Sequence, residues 1–175
     1  AIFALAMAKK GGRMPENKMA LLWTLATAIM SFVGAGFLGF AHTLPLVNMY
    51  THGTLVTAMH GHLAFWGAYA GLVLGIITYA MPLMTGRKLS DTVMNSFAFW
   101  TSNIGMVAMT VAFGVAGVAQ VYLERKMGMD FLKVQTELEV HFFGLVLAAT
   151  LFSFGIGAFV WNFIRFGLPK GEVKS

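Results

Sequence analysis

The stretch that decides the fold runs from Thr51 to Pro82, THGTLVTAMHGHLAFWGAYAGLVLGIITYAMP, and carries no Asp, Glu, Lys or Arg. Two imidazoles, His60 and His62, lie within this apolar segment. Ionisable side chains inside a membrane helix are expensive and usually serve a function. The pair therefore needs an explanation, whereas a lone histidine could simply be satisfied by a nearby carbonyl.

Helix geometry separates the two rings. Successive residues of an α-helix are about 100° apart, so His60 and His62 are expected to point about 200° apart. A zinc site on a helix usually takes histidines at i and i+4, on one face. The observed spacing suits two haems that flank the helix, each held by one imidazole, and Gly61 adds no side chain between them. The alternative is two polar residues near a helix end, each donating to a carbonyl.

Composition excludes a soluble domain. Of the 175 residues, 58% are hydrophobic and 11% are charged, and the mean hydropathy is +0.73. These values predict an all-α, polytopic transmembrane bundle embedded in a lipid bilayer. Cysteine is absent, so any metal must use His, Met or oxygen ligands. The net charge of +5 lies in short loops, which indicates membrane topology and no nucleic-acid partner.

The charge-free runs predict four spans in a single membrane domain that covers residues 1–175. We place the spans at about 17–43, 53–81, 92–122 and 140–166, with Pro82 ending the second span. The apolar octet Ala1–Ala8 precedes basic residues instead of following them, unlike a signal peptide. We interpret it as the remnant of an earlier helix, so the chain is expected to be the C-terminal part of a larger subunit.

Basic residues are distributed unequally between the two sides of this bundle. Nine of them lie on one side, against three in the loop 123–139. The nine are four in the first loop (Lys9, Lys10, Arg13 and Lys18), two in the next loop on that side (Arg87 and Lys88) and three at the C-terminal end (Arg165, Lys170 and Lys174). The positive-inside rule places the nine-residue side, and the C-terminus, in the cytoplasm. His60 and His62 then lie in the outer half of the membrane.

Small and polar residues predict how the helices pack. Glycines recur every four residues on the histidine helix (Gly67, Gly71, Gly75), and Gly34, Gly36 and Gly39 form a second patch on the preceding helix. Such surfaces let helix backbones approach closely in lipid. We expect Asn103 and Gln120 to form interhelical hydrogen bonds, and His42 and His141 to be satisfied locally.

The run Gly34–Pro82, GAGFLGFAHTLPLVNMYTHGTLVTAMHGHLAFWGAYAGLVLGIITYAMP, closely resembles the large catalytic subunit of cytochrome c-dependent bacterial nitric oxide reductases, which belong to the haem-copper oxidase superfamily. The specific part is HGHLAFWGAY after THGT. Oxygen-reducing relatives usually carry an aromatic residue between the two histidines. The similarity extends through LERKMGMDFLKVQTELEVHFFGLVLAATLF, residues 123–152, and so covers most of the chain.

The resemblance implies a twelve-helix fold and a role for each histidine of the pair. His60 would be the proximal ligand of the high-spin haem b3, where nitric oxide is reduced, and His62 one axial ligand of the low-spin haem b. Phe65 would pack near the haem edges, with core packing as the alternative. His52 and Thr54 would hydrogen-bond haem propionates, with helix capping as the alternative.

The resemblance also implies a reaction and partners. Two nitric oxide molecules, two electrons and two protons would give nitrous oxide and water at haem b3 and a non-haem iron whose ligands lie outside this chain. A membrane-anchored cytochrome c subunit would donate electrons, and the remaining N-terminal helices of the catalytic subunit would complete the site in the bacterial inner membrane. Three rivals are a haem-copper terminal oxidase that reduces O2, a non-enzymatic dihaem b-type electron carrier, and a transporter with the two histidines on a metal path.

Overall fold

The structure, a computed structural model, describes residues 2–86 and 92–167, and every regular element in these ranges is helical. The predicted loop around Arg87 and Lys88 and the basic C-terminal tail lie outside the described residues. The described residues form three short helices and four long ones, in the chain order α1 Ile2–Lys10, α2 Lys18–Thr43, α3 Pro45–Thr51, α4 Leu55–Thr85, α5 Thr92–Val121, α6 Phe131–Glu137 and α7 Glu139–Asn162. Two π-helical segments interrupt the long helices, Phe32–Leu38 in α2 and Trp66–Ala70 in α4.

Helices α2, α4, α5 and α7 are long and apolar enough to cross a membrane. Many large apolar side chains point outward from them; Phe32 is 74% exposed and Leu83 is 70% exposed. Such surfaces suit lipid or further protein and would be unfavourable in water. The prediction of an all-α, multi-pass membrane bundle is confirmed.

The centre of the bundle is an aromatic cluster between α4 and its neighbours. Helix α4 packs against α2 on one side and α5 on the other, and α5 packs along α7. The Trp23 ring meets Trp66, Phe99 and Phe159 edge to face, with centroid distances of 6.1, 5.0 and 5.9 Å. Since all four rings are buried, this cluster fixes the spacing of all four long helices.

Glycine allows α2 and α4 to touch backbone to backbone. A Cβ on Gly67 would collide with the backbone of Met30 and Ser31, and one on Gly34 would lie 2.6 Å from the backbone nitrogen of Ala64. The predicted close approach through both patches is therefore confirmed at these positions. Gly36 differs, because a Cβ there would meet only atoms of its own helix.

Two interhelical hydrogen bonds tie α4 to α5, as predicted for Asn103 and Gln120. The indole nitrogen of Trp66 donates to Oδ1 of Asn103 at 3.1 Å, and the backbone nitrogen of Leu55 donates to Oε1 of Gln120 at 2.8 Å. Both amide side chains are buried. They satisfy groups that would otherwise lie unpaired at the helix contact.

The prediction that Pro82 ends the second span is wrong. Helix α4 continues to Thr85 and ends at Gly86, whose φ of 64° is left-handed. Proline has no N–H, so the carbonyl of Thr78, four residues earlier, loses its helical donor. Nδ2 of Asn17 donates to that carbonyl at 2.9 Å. Lipid-embedded backbone groups must be satisfied within the protein, and here a neighbouring helix end does so.

This repair predicts a coupled effect of Asn17 and Pro82. The Asn17→Asp variant keeps the α2 cap, in which Oδ1 accepts from Ala20 N at 3.0 Å, but loses the donor to Thr78. We expect a loss of about 1 to 3 kcal/mol in unfolding free energy. In a Pro82→Ala background, the new backbone N–H of residue 82 can donate to the carbonyl of Thr78. Asn17→Asp should then lower the unfolding free energy clearly less.

Unfolding of the four proteins of this cycle in detergent measures the coupling. An equal loss in both backgrounds would contradict the assigned role of Asn17.

Candidate haem-ligand site

The two histidines of α4 point to different neighbouring helices. The His60 ring is half-buried and faces α2, where its Nδ1 lies 2.9 Å from the carbonyl oxygen of Gly34. The His62 ring is exposed and faces α5, with its centroid 4.7 Å from that of Phe113. One helix therefore presents two imidazoles on separate sides.

The hydrogen bonds define which ring nitrogen is available. A carbonyl oxygen can only accept, so Nδ1 of His60 donates to Gly34 and Nδ1 of His62 donates to the carbonyl of Ala58 at 2.8 Å. With the proton on Nδ1, a neutral imidazole keeps the lone pair of Nε2. Metal-bound histidines usually donate their other ring nitrogen to a carbonyl or carboxylate. Both rings are thus prepared to bind a metal through Nε2.

His60 is held by three contacts from the segment Gly34–His42 of α2. Besides the hydrogen bond to Gly34, its Cε1 edge lies against Gly39, where a Cβ would be 3.2 Å away. The His42 ring stacks on its face, with centroids 5.0 Å apart and planes inclined by 25°. The π-helical turn of α2 shapes this segment, and such turns often occur at functional sites.

An apolar groove of about 860 Å³ borders His62. Its walls come from α4, α5 and α7 and include Gly61, Phe65, Trp66, Tyr69, Met106 and Phe152. A Cβ on Gly61 would meet nothing within 4 Å, so the space beside the two histidines is open. The volume is in the range of cofactor pockets, and an apolar wall with one imidazole fits a haem.

Phe65 lies at the edge of this groove and not in a packed core. Its side chain is 65% exposed, and its ring centroid is 5.7 Å from that of Tyr69. The structure brings Phe65 and His62 to one groove, as a role near a haem would require. Among the described residues, its side chain is not packed in a core.

His52 and Thr54, which lie just before the start of α4, have different surroundings. Thr54 is 5% exposed and caps the helix: its hydroxyl donates to the carbonyl of Thr51 at 2.7 Å and accepts from Val56 N at 3.3 Å. The capping alternative therefore describes Thr54. The His52 ring is exposed, and the His52 carbonyl accepts from the Arg125 guanidinium at 3.3 Å.

The expectation of local satisfaction is confirmed for one ring nitrogen of His42. Nδ1 of His42 bonds to the carbonyl of Leu38 at 2.8 Å, but Nε2 of His42 and Nδ1 of His141 are buried without a partner among the described residues. The stack of His42 on His60 could not be predicted from the sequence. The two lie on different helices, and no spacing rule signals such a contact.

Within the described part of the chain, no three His, Asp or Glu side chains come together as a metal-binding group. Each histidine of the pair is therefore a single potential ligand, and any further ligands must come from the bound group itself or from another protein segment. This arrangement differs from a zinc centre, in which three or four protein side chains converge.

The described residues thus form a multi-pass membrane bundle in which one helix carries two separate, carbonyl-anchored imidazoles. The family model described as Cytochrome C and Quinol oxidase polypeptide I matches residues 1–161. The chain belongs to this family.

A relative shows the similarity in more detail. A nitric oxide reductase subunit from Stutzerimonas stutzeri is 38% identical over 174 residues, which cover 95% of this chain and 37% of that protein. The chain thus spans little more than a third of the relative's length. The predicted resemblance is confirmed.

The groove wall provides a stability prediction. Replacing Asn103 by Leu leaves the buried indole N–H of Trp66 without its acceptor, which should cost about 1 to 3 kcal/mol. The double variant Trp66→Phe, Asn103→Leu removes both polar partners and should recover part of the lost unfolding free energy. The smaller phenyl ring still costs some packing. The exposed Thr150→Val, which breaks only a bond to Val146 within α7, is the control and should be nearly neutral. Thermal unfolding in detergent compares them; strictly additive losses would refute the coupling.

Proposed function

We propose that this chain is part of the catalytic subunit of a nitric oxide reductase, which reduces two nitric oxide molecules to nitrous oxide and water. The observation that carries the proposal is the pair of carbonyl-anchored imidazoles, each with a free Nε2, on opposite sides of one membrane helix. The similarity to a protein named as part of a nitric oxide reductase gives the substrate.

In this proposal His60 binds the high-spin haem b3 through Nε2 and His62 binds the low-spin haem b. The groove beside His62 would hold that haem, with Phe65 and Tyr69 among the residues that line it. Gly61 leaves the space between the haems free. His52 contacts a propionate, whereas the hydroxyl proton of Thr54 is already used by the helix cap.

When bound, the haems supply the redox chemistry that takes in electrons and reduces nitric oxide. The chain's own residues would bind the haems and orient the two imidazoles. Gly34 and Ala58 keep the proton on Nδ1 of the two histidines, so that Nε2 faces outward as a neutral ligand. The apolar wall with Trp66 and Phe152 excludes water from the haem edge.

The proposal requires further components beyond this chain. The non-haem iron would be held by three histidines and a glutamate on other helices of a twelve-helix subunit, and the second axial ligand of haem b would also come from there. A membrane-anchored cytochrome c would deliver the electrons. The chain alone is not expected to turn over.

The same proposal includes an orientation in the bacterial inner membrane. The side with nine basic residues, which includes the C-terminus, faces the cytoplasm. The loop between α5 and α7 faces the periplasm. Thr54 and Arg125 then lie at the periplasmic end of the bundle, on the side from which the cytochrome donates.

Replacement of each histidine in the complete enzyme separates the two ligand roles. His62→Ala should abolish the low-spin haem absorbance, and His60→Ala should disrupt the high-spin haem while the low-spin bands persist. His141→Ala, a histidine outside the pair, is the matched control and should leave both spectra intact. Unchanged spectra in both of the first two variants would refute the assignment.

A specific observation favours one alternative, a terminal oxidase that reduces O2: the matching family is described as an oxidase polypeptide. That enzyme would use copper in place of the non-haem iron. Metal analysis of the purified complete enzyme distinguishes the two. Iron above the haem content, with no copper, is expected; about one copper per active site would overturn the nitric oxide assignment.

A further inference from the structure

His42, at the end of α2, has no role in the proposed function. It lies eighteen positions before His60, on another helix, and yet the two rings are neighbours. Their centroids are 5.0 Å apart and their planes are inclined by only 25°. Parallel contact at this distance is an offset aromatic stack.

The polar contacts of His42 do not reach His60. Its Nδ1 donates to the carbonyl of Leu38 on its own helix at 2.8 Å. Its Nε2 is buried and has no partner among residues 2–86 and 92–167. The influence of His42 on His60 therefore passes through the face of the ring. The bond to Leu38 serves to hold that ring in place.

His42 is one of three residues of α2, with Gly34 and Gly39, that contact the His60 ring. Gly34 and Leu38 are one helical turn apart, and their carbonyls each accept a proton from one of the two imidazoles. The Gly34 bond fixes where Nδ1 of His60 points, and Gly39 limits the Cε1 edge. Both of these contacts are made at the edge of the ring. The stack with His42 adds a contact on its face, which further opposes rotation about the bond from Cβ to the ring.

We propose that His42 is a positioning residue for His60: its ring face sets the plane of the axial imidazole and hence the strength of the bond from Nε2 to the haem iron. This inference rests on the proposed role of His60 as a haem ligand. His62 is held differently: its Nδ1 is anchored to its own helix, and the ring beside it, that of Phe113 on α5, is tilted by 34°.

Two variants of the complete enzyme separate the ring face from the hydrogen bond. His42→Phe keeps a flat ring and loses the donor to Leu38, whereas His42→Asn keeps a short donor and loses the ring. We expect His42→Asn to shift the iron–histidine vibration of the ferrous high-spin haem and to lower kcat by about 10-fold, the lower end of the usual loss for residues that orient a metal ligand. His42→Phe should keep the vibration near its original frequency. The low-spin haem spectrum should stay unchanged in both.

His141→Phe is the matched control, because this histidine also has a buried, unpartnered ring nitrogen among the described residues but lies on α7. The proposal is overturned if His42→Asn leaves the high-spin haem unchanged, if His42→Phe is as impaired as His42→Asn, or if both haems are lost together. A purified enzyme that contains no haem would instead refute the proposed function itself, so the two failures can be told apart.

Discussion

The contact on which the rest of the structure depends is the close approach of α2 and α4 at Gly34. A side chain there would collide with the backbone of Leu63 and Ala64, so only glycine allows this separation. The approach brings the carbonyl of Gly34 within 2.9 Å of Nδ1 of His60. Helices in lipid gain little from hydrophobic burial and associate through tight packing and polar contacts. One glycine thus serves both the packing of the bundle and the orientation of the histidine.

The π-helical segments explain how one carbonyl can serve two donors. Phe32–Leu38 in α2 contacts Trp66–Ala70 in α4. At the end of the first segment, the Gly39 nitrogen donates back five residues to Gly34, and His60 donates to the same oxygen. A carbonyl has two lone pairs and can accept both. The wider turn presents this oxygen to another helix without leaving a backbone group unpaired.

Most of the architecture could be predicted from the sequence because it depends on features with a clear period or length. Charge-free runs gave the long helices, and the spacing of His60 and His62 gave their opposite directions. The behaviour of Pro82 could not be predicted, since Asn17, the residue that repairs its missing hydrogen bond, lies on another helix. The stack of His42 on His60 could not be predicted for the same reason, because it joins two helices. Thr54 is an intermediate case. Two roles could be predicted for it, and the hydrogen bond from its hydroxyl to the carbonyl of Thr51 identifies it as a helix cap.

Under the proposed function, the two haems depend on the fold in different ways. The distance between their ligands is set by α4 alone, because His60 and His62 are separated by one residue of a continuous helix. The orientation of each ring is set by different contacts: α2 holds His60 through Gly34 and His42, whereas His62 is held by Ala58 of its own helix and Phe113 of α5. A small shift of α2 would therefore rotate the His60 imidazole without changing the spacing of the ligands along α4. Electron transfer between the haems would be robust to such a shift, and the chemistry at the haem held by His60 would be sensitive to it.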